Sequence, residues 1–351
     1  MSAGRAAPAP MRTPVQEPPA PGEATELAEG ILWLRLPLPM ALDHVNCYAL
    51  DDGDGWTLVD TGLDTRRTRA IWEALLAGPL RGRPVRRLIV THHHPDHIGL
   101  AGWFQRAHGA ELVTTRTAWL MARMLVLDEQ PLPTEEMLAF WRSAGMASEL
   151  LERRARERPF NFADVVAPMP LGYRRIREGD TVTMGGRRWV VRIGNGHAPE
   201  HATFWAQEGD LVIGGDQLLA TISPNIGLYA TEPEADPVGE WLEACERLQT
   251  FASEGQLVLP GHKLPFAGLP VRMRQLIDNH HGALARLEAF LAAPHTAAEC
   301  FGVLFKREIG EGEYGLALVE AMAHVVHLWH RGKVERSFRE DGAWMWQARA
   351  G

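Results

Sequence analysis

Cysteine is scarce, with three residues, Cys47, Cys245 and Cys300, in a chain of 351. They are odd in number, far apart and without metal-pair spacing, which argues against a disulfide framework and fits buried thiols in a reducing compartment. Long apolar runs are also missing. No stretch of about 18 apolar residues is present to span a bilayer, so no membrane partner is expected. Basic charge is not in excess: Lys and Arg number 36 against 44 Asp and Glu, a formal charge of −8. That removes the footprint of a protein built mainly to hold nucleic acid, although a nuclease with a local basic patch stays open. Residues 1–24 lack an apolar core segment and are rich in Ala and Pro, so they read as a disordered tail and not as a secretory signal. A cytoplasmic chain is the expectation.

What is present is an ordinary globular composition, 46% hydrophobic and 23% charged, and enough length for a large core plus a smaller unit. The stretch Thr91-His92-His93-His94-Pro95-Asp96-His97 follows a run over 85–90 that reads as a buried strand. Pro95 is expected to rule out a helix through this segment, leaving the histidines on a loop at the strand's end, with a helix from Ile98 onward. Four potential ligands close together on a loop leaving a rigid strand can wrap around one small volume. Neutral imidazole is the commonest metal-binding side chain, so a metal site is expected here.

Along the chain, strands are expected at 31–36, 45–50 and 56–60, a helix at 65–77 with Thr65 as its N-cap, a helix at 98–107 and a strand near 111–113. Strands alternating with helices indicate layered α/β architecture. From 115 to about 170 the pattern is helical and rich in Met and Phe, an insertion that can form a lid with an adaptable apolar wall. Strands resume at 173–176, 181–184 and 187–193, the last running into Gly194-Asn195-Gly196-His197. Another, 210–213, runs into Gly214-Gly215-Asp216, and 256–259 runs into Pro260-Gly261-His262. An apolar strand, glycine and then a ligand-type residue recurs.

In these residues the chain resembles the metallo-β-lactamase fold superfamily, whose H-x-H-x-D-H signature His92, His94, Asp96 and His97 match in full. The likeness extends over roughly 31–266. It implies a four-layer αββα sandwich over 25–268, with the helical insertion at 115–170, and a small winged-helix-like domain over 269–351. It also implies a first metal on His92, His94 and His197, a second on Asp96, His97 and His262, and Asp216 between them. Asp60 would support the ligands from behind, and His201 would brace a loop. Nitrogen and carboxylate ligands without Cys suit two Zn²⁺, and Fe or Mn tolerate the same set.

The chemistry so implied is hydrolysis by a metal-held hydroxide, with Asp96 and Asp216 as the carboxylates at the reacting centre. Asp216 argues against a true β-lactamase, and the full ligand set argues against a persulfide dioxygenase. A thioester or activated ester of the acyl-CoA or acyl-glutathione type is the leading substrate, a small molecule. Lactones and nucleic-acid phosphodiesters of the ribonuclease kind are the alternatives, and a binding protein without catalysis is the reading from another class. The C-terminal part shows a helix over 269–291, a Thr296-Ala297-Ala298-Glu299 capping box, a helix over 314–330 and a terminal hairpin. Between 271 and 345 nine Lys or Arg face ten Asp or Glu, which offers no net attraction for phosphates. A pocket wall or a homodimer surface is expected there instead.

Overall fold

The computed structural model describes residues 10–349. Its first sheet contains β1 (Thr25–Ala28), β2 (Ile31–Pro37), β3 (His44–Asp51), β4 (Trp56–Val59), β5 (Val85–Ile89), β6 (Glu111–Thr114) and β7 (Arg174–Arg175), hydrogen-bonded in that order. The second contains β8 (Thr181–Met184), β9 (Arg187–Gly194), β10 (His201–Ala206), β11 (Leu211–Gly215) and β12 (Leu257–Pro260), in the order β12-β11-β10-β9-β8. The helices are α1 (Arg66–Ala77), α2 (Pro95–Ile98), α3 (Ala101–His108), α4 (Arg116–Leu127), α5 (Glu135–Ser143), α6 (Ser148–Arg154), α7 (Pro237–Gln249), α8 (Leu269–Phe290), α9 (Phe301–Phe305) and α10 (Tyr314–His330). A hairpin, β13 (Val334–Phe338) with β14 (Trp344–Ala348), closes the chain.

Side-chain alternation along the strands builds the layers. On β2, Ile31 and Trp33 join Trp189, Val191 and Phe204 of the second sheet in the core between the sheets. Leu34 and Leu36 point the other way, into a cluster with Trp72 and Leu75 of α1 and Phe104 of α3. On the far side Trp205, Val212 and Val258 meet Trp241 of α7, Met273 and Leu276 of α8, and Leu318 of α10. Each such fully buried side chain contributes roughly 1.5–3 kcal/mol. The result is a helix-sheet-sheet-helix sandwich whose fourth layer includes the C-terminal helices, so α8 and α10 share a core with the second sheet. The expected order of helix, helix and hairpin is present. Thr296 and Glu299 form the reciprocal capping bonds, Thr296 N to the Glu299 carboxylate at 2.7 Å and Glu299 N to the Thr296 hydroxyl at 3.4 Å.

Two expectations are corrected. Pro95 opens a helix instead of excluding one: it is the first residue of α2, with His94 as N-cap. Its missing N–H would have had no intrahelical partner at that position, and its fixed φ suits the first turn. Asp96 and His97 therefore ride on a helical turn. The described part of the Ala/Pro-rich stretch is fixed on the body, since Arg12 and Ala267 exchange two backbone hydrogen bonds of 3.1 and 2.8 Å. The rest of the expected tail, 1–9, lies outside the described residues. No helix among the described residues is long and apolar enough to cross a membrane.

Candidate metal centre

Strands β4 and β5 run parallel, as do β11 and β12, so their C-terminal ends open onto one edge of the sandwich. His92 and His94 leave the end of β5, with Asp96 and His97 on α2 just beyond. His197 lies in the turn from β9 to β10, Asp216 directly follows β11, and His262 follows β12 after Gly261. All seven converge. His94 Nδ1 is 3.0 Å from both His92 Nε2 and His197 Nε2. His97 Nε2 lies 3.5 Å from Asp96 Oδ2 and 3.4 Å from Asp216 Oδ1, while His262 Nε2 lies 3.4 Å from Asp96 Oδ2 and 3.1 Å from Asp216 Oδ2. Asp216 Oδ2 is also 3.5 Å from His197 Nε2, so this one carboxylate borders both groups. Within each of the sets His92/His94/His197, His92/His97/Asp216 and Asp96/His97/His262, the donor atoms lie within 4.8 Å of one another and could hold a metal ion.

The hydrogen bonds behind these side chains decide which ring nitrogen is free. The Asp60 carboxylate accepts from Thr91 N and from the Thr91 hydroxyl, both at 2.9 Å, and from His97 Nδ1 at 2.8 Å. Since the Thr91 hydroxyl donates to Asp60, it accepts from His92 Nδ1 at 3.0 Å, which leaves His92 Nε2 with a lone pair. His197 Nδ1 donates to the Asn225 carbonyl and His262 Nδ1 to the His44 carbonyl, each at 2.7 Å, leaving both Nε2 atoms facing the centre. Lone pairs crowded at 3.0 Å among His92, His94 and His197, with His97 Nε2 and Asp216 Oδ1 buried and without hydrogen-bond partners, form a set of inward-facing donors that cations would satisfy. The donor set fits two ions. Asp60 holds this position with φ at 61°, a left-handed conformation that Asp tolerates better than most residues. Gly261 has no side chain for a similar reason of space: a Cβ there would collide with Asp216 Oδ1.

Electrostatics divides the centre. Burial first, then the neighbouring imidazoles, push His92 and His94 well below the ordinary histidine range, so both are neutral donors. At His97 burial alone would act the same way, but Asp216, Asp96 and Asp60 outweigh it and raise the group well above that range. His262 is likewise lifted against burial, by Asp216 and then Asp96, to about 10. Asp216 is held well below the carboxylate range: His262 and His97 overcome a burial that by itself would raise it. The carboxylate-rich side thus demands positive charge, while the three-histidine side offers lone pairs.

His201 braces as expected, stacking on His92 at 4.5 Å between centroids and accepting from Asp216 N at 3.1 Å. Several further supports lie outside the residues expected from sequence. Asn46 donates to the carbonyls of Pro260 at 2.9 Å and Lys263 at 2.8 Å, fixing the turn that carries His262. A signal for it exists: His44 and Asn46 are polar residues on alternate positions at the start of a strand whose middle, Cys47 to Leu50, is largely apolar. His44 Nε2 accepts from Lys263 N at 2.9 Å. Glu200 accepts from Thr117 N at 2.8 Å and from its hydroxyl at 2.6 Å, tying α4 of the insertion to the His197 loop. Asn225 carries no such signal, because it acts through its backbone oxygen.

Comparison with known proteins agrees with this geometry. Residues 40–262 match the family model described as the Metallo-beta-lactamase superfamily, and residues 284–349 match the one described as Metallo-beta-lactamase-like, C-terminal domain. A solved Beta-lactamase domain protein from Burkholderia ambifaria is 34% identical, with a TM-score of 0.88, over 97% of this chain and 98% of that one. A metallo-beta-lactamase family protein from Thermus thermophilus is 30% identical, with a TM-score of 0.77, over 92% of this chain and 100% of that one. A protein of Bacillus subtilis (strain 168) named Probable metallo-hydrolase YqjP is 26% identical over 302 residues, 85% of this chain and 91% of that protein. With residues 40–262 and 284–349 both matched, and a relative 34% identical covering 97% of the chain, the protein belongs to the metallo-beta-lactamase superfamily.

Proposed function

We propose that this metallo-hydrolase cleaves a thioester or related activated ester of the acyl-CoA or acyl-glutathione type, with two Zn²⁺ as cofactors. His92, His94 and His197 would hold one ion and Asp96, His97 and His262 the other, with Asp216 between them. When bound, such a pair supplies a water nucleophile active near neutral pH and an electrophilic contact for the scissile carbonyl. The chain's own part is orientation: Asp60 and Thr91 fix the tautomers of His97 and His92, and the His44 and Asn225 carbonyls fix those of His262 and His197.

The observation that carries the substrate class is an apolar track on the insertion leading to this centre. Phe160 packs on Phe162 at 6.0 Å between centroids, Phe162 stacks over His93 at 6.4 Å, and His93 meets His94 at 4.7 Å. On α4, Leu120, Met124 and Leu127 stand exposed at helical spacing on one face. An acyl chain lying along Phe160 and Phe162 would run toward the histidines. Assay of the zinc-loaded chain against acyl-CoA and acyl-glutathione panels, with metal-free protein as control, tests the reading, and turnover above that control is expected. Absence of such turnover removes the thioester assignment. RNA cleavage that Asp216→Ala abolishes would replace it with phosphodiester hydrolysis.

A further inference from the structure

The carbonyl that orients His197 belongs to an irregular loop between β11 and α7, and that loop is held from the C-terminal helices. The Asn225 side-chain amide donates to the Glu320 carboxylate at 2.6 Å and to the Leu316 carbonyl at 3.1 Å, both on α10. Leu228 N donates to the Val319 carbonyl at 3.0 Å. From α8, the buried Arg272 donates to the carbonyls of Leu219 and Ile222, each at 2.7 Å. Five hydrogen bonds from two C-terminal helices therefore set the path of the segment that starts at Asp216 and carries Asn225.

We infer that Asn225 and Glu320 are positioning residues for the His92/His94/His197 half of the centre, so that α10 sets the metal affinity of that half and not of the other. A backbone carbonyl in a loop without sheet or helix partners has no fixed place of its own, and the imidazole that donates to it turns with it. The Asn225 amide, fastened at both hydrogens to α10, removes that freedom, and His197 Nε2 is thereby aimed at His94 Nδ1 and Asp216 Oδ2. His97 and His262 have no such dependence. His97 rests on Asp60 at the end of β4, and His262 rests on the His44 carbonyl at the start of β3. The inference rests on the reading that these donors hold metal, and it adds which part of the chain controls each position.

The test is a Zn²⁺ titration of the full ¹⁵N-labelled chain followed at the imidazole resonances, which reports the two halves separately. Asn225→Ala and Glu320→Ala should weaken binding at the three-histidine half about tenfold, as loss of a group behind a ligand does. Binding at His97 and His262 should stay within about twofold. Glu320→Gln keeps an oxygen for the Asn225 amide and should titrate like the native chain, which separates positioning from a general loss of packing. Equal weakening of both halves, or an unchanged three-histidine half, overturns the inference. In metal-free protein the same spectra report the His197 tautomer. A native Nδ1–H form that becomes mixed in Asn225→Ala and Glu320→Ala supports the inference, and an unaltered tautomer refutes it. That second arm needs neither metal binding nor turnover, so it stands apart from any failure of the thioester assay.

Discussion

His97 and His262 lean on groups supplied by the first sheet, the Asp60 carboxylate and the His44 carbonyl, whereas His197 leans on a loop that the C-terminal helices hold in place. The contrast lies in how the support is built. A residue at the end of a paired strand inherits its position from the ladder, so its partner needs no further anchoring. A carbonyl in an open loop must be anchored side chain by side chain, and here the anchors come from far along the chain. Asp60 complicates the division, because it reaches His97 directly and His92 through the Thr91 hydroxyl.

Substitutions can break this comparison or sharpen it. Asp216→Ala removes the carboxylate that borders both halves and should have the largest effect. Hydrolysis should fall beyond about 100-fold, more than loss of a supporting group costs, and metal analysis should show fewer than two ions per chain. Asp60→Asn should weaken metal binding about 10–100-fold, most at His97. The amide that replaces the acceptor oxygen can no longer receive His97 Nδ1–H, so the ring should turn to the other tautomer, which imidazole NMR would register. Equal loss at His197 and His97 would erase the distinction between the halves.

Smaller effects are expected away from the donors. Phe162→Ala shortens the apolar track and should raise KM for long-chain acyl thioesters about threefold to tenfold, a share of the 1.5–3 kcal/mol of a fully buried side chain. Short-chain substrates should change little, and kcat should hold. Glu320 provides the mildest test. Burial lifts its carboxyl to about 7, against a smaller lowering by the Asn225 amide, from an ordinary 4.5. Because the folded value lies above the unfolded one, its stabilising contribution is full below pH 4.5 and is lost as pH rises through 7. The native chain should therefore lose a few degrees of Tm over that interval relative to Glu320→Gln, which cannot ionise. Parallel Tm curves for the two proteins would contradict this assignment.

The donor residues are legible in the sequence because each follows an apolar strand, three of them (His197, Asp216 and His262) directly after a glycine, and because strand ends are where a layered α/β chain gathers side chains. The helices and their apolar faces are legible too: Leu276, His280, Leu284 and Leu287 of α8 are all buried, as the spacing requires. What those faces pack against is not. Amphipathic spacing states that a face is covered and is silent on the partner, so the core that the C-terminal helices share with the second sheet is not legible from it. The supporting carbonyls of His44 and Asn225 are invisible for a different reason. Every residue has a carbonyl, so no residue type marks the ones in use. The Asn225–Glu320 contact spans 95 positions, with nothing in either neighbourhood to connect them. Pro95 misleads because proline interrupts helix interiors yet suits first turns, and only the downstream turn distinguishes the two.

The left-handed backbone of Asp60 has a practical corollary. Asparagine and aspartate are nearly isosteric and share an ease with positive φ that alanine lacks. At this position an alanine exchange would confound a torsional penalty with the loss of the carboxylate, while the amide leaves the chain's path intact and confines the change to the charge and the acceptor oxygen. The main-chain torsion that presents the carboxylate thus also selects the replacement by which its contacts can be weighed apart from the backbone.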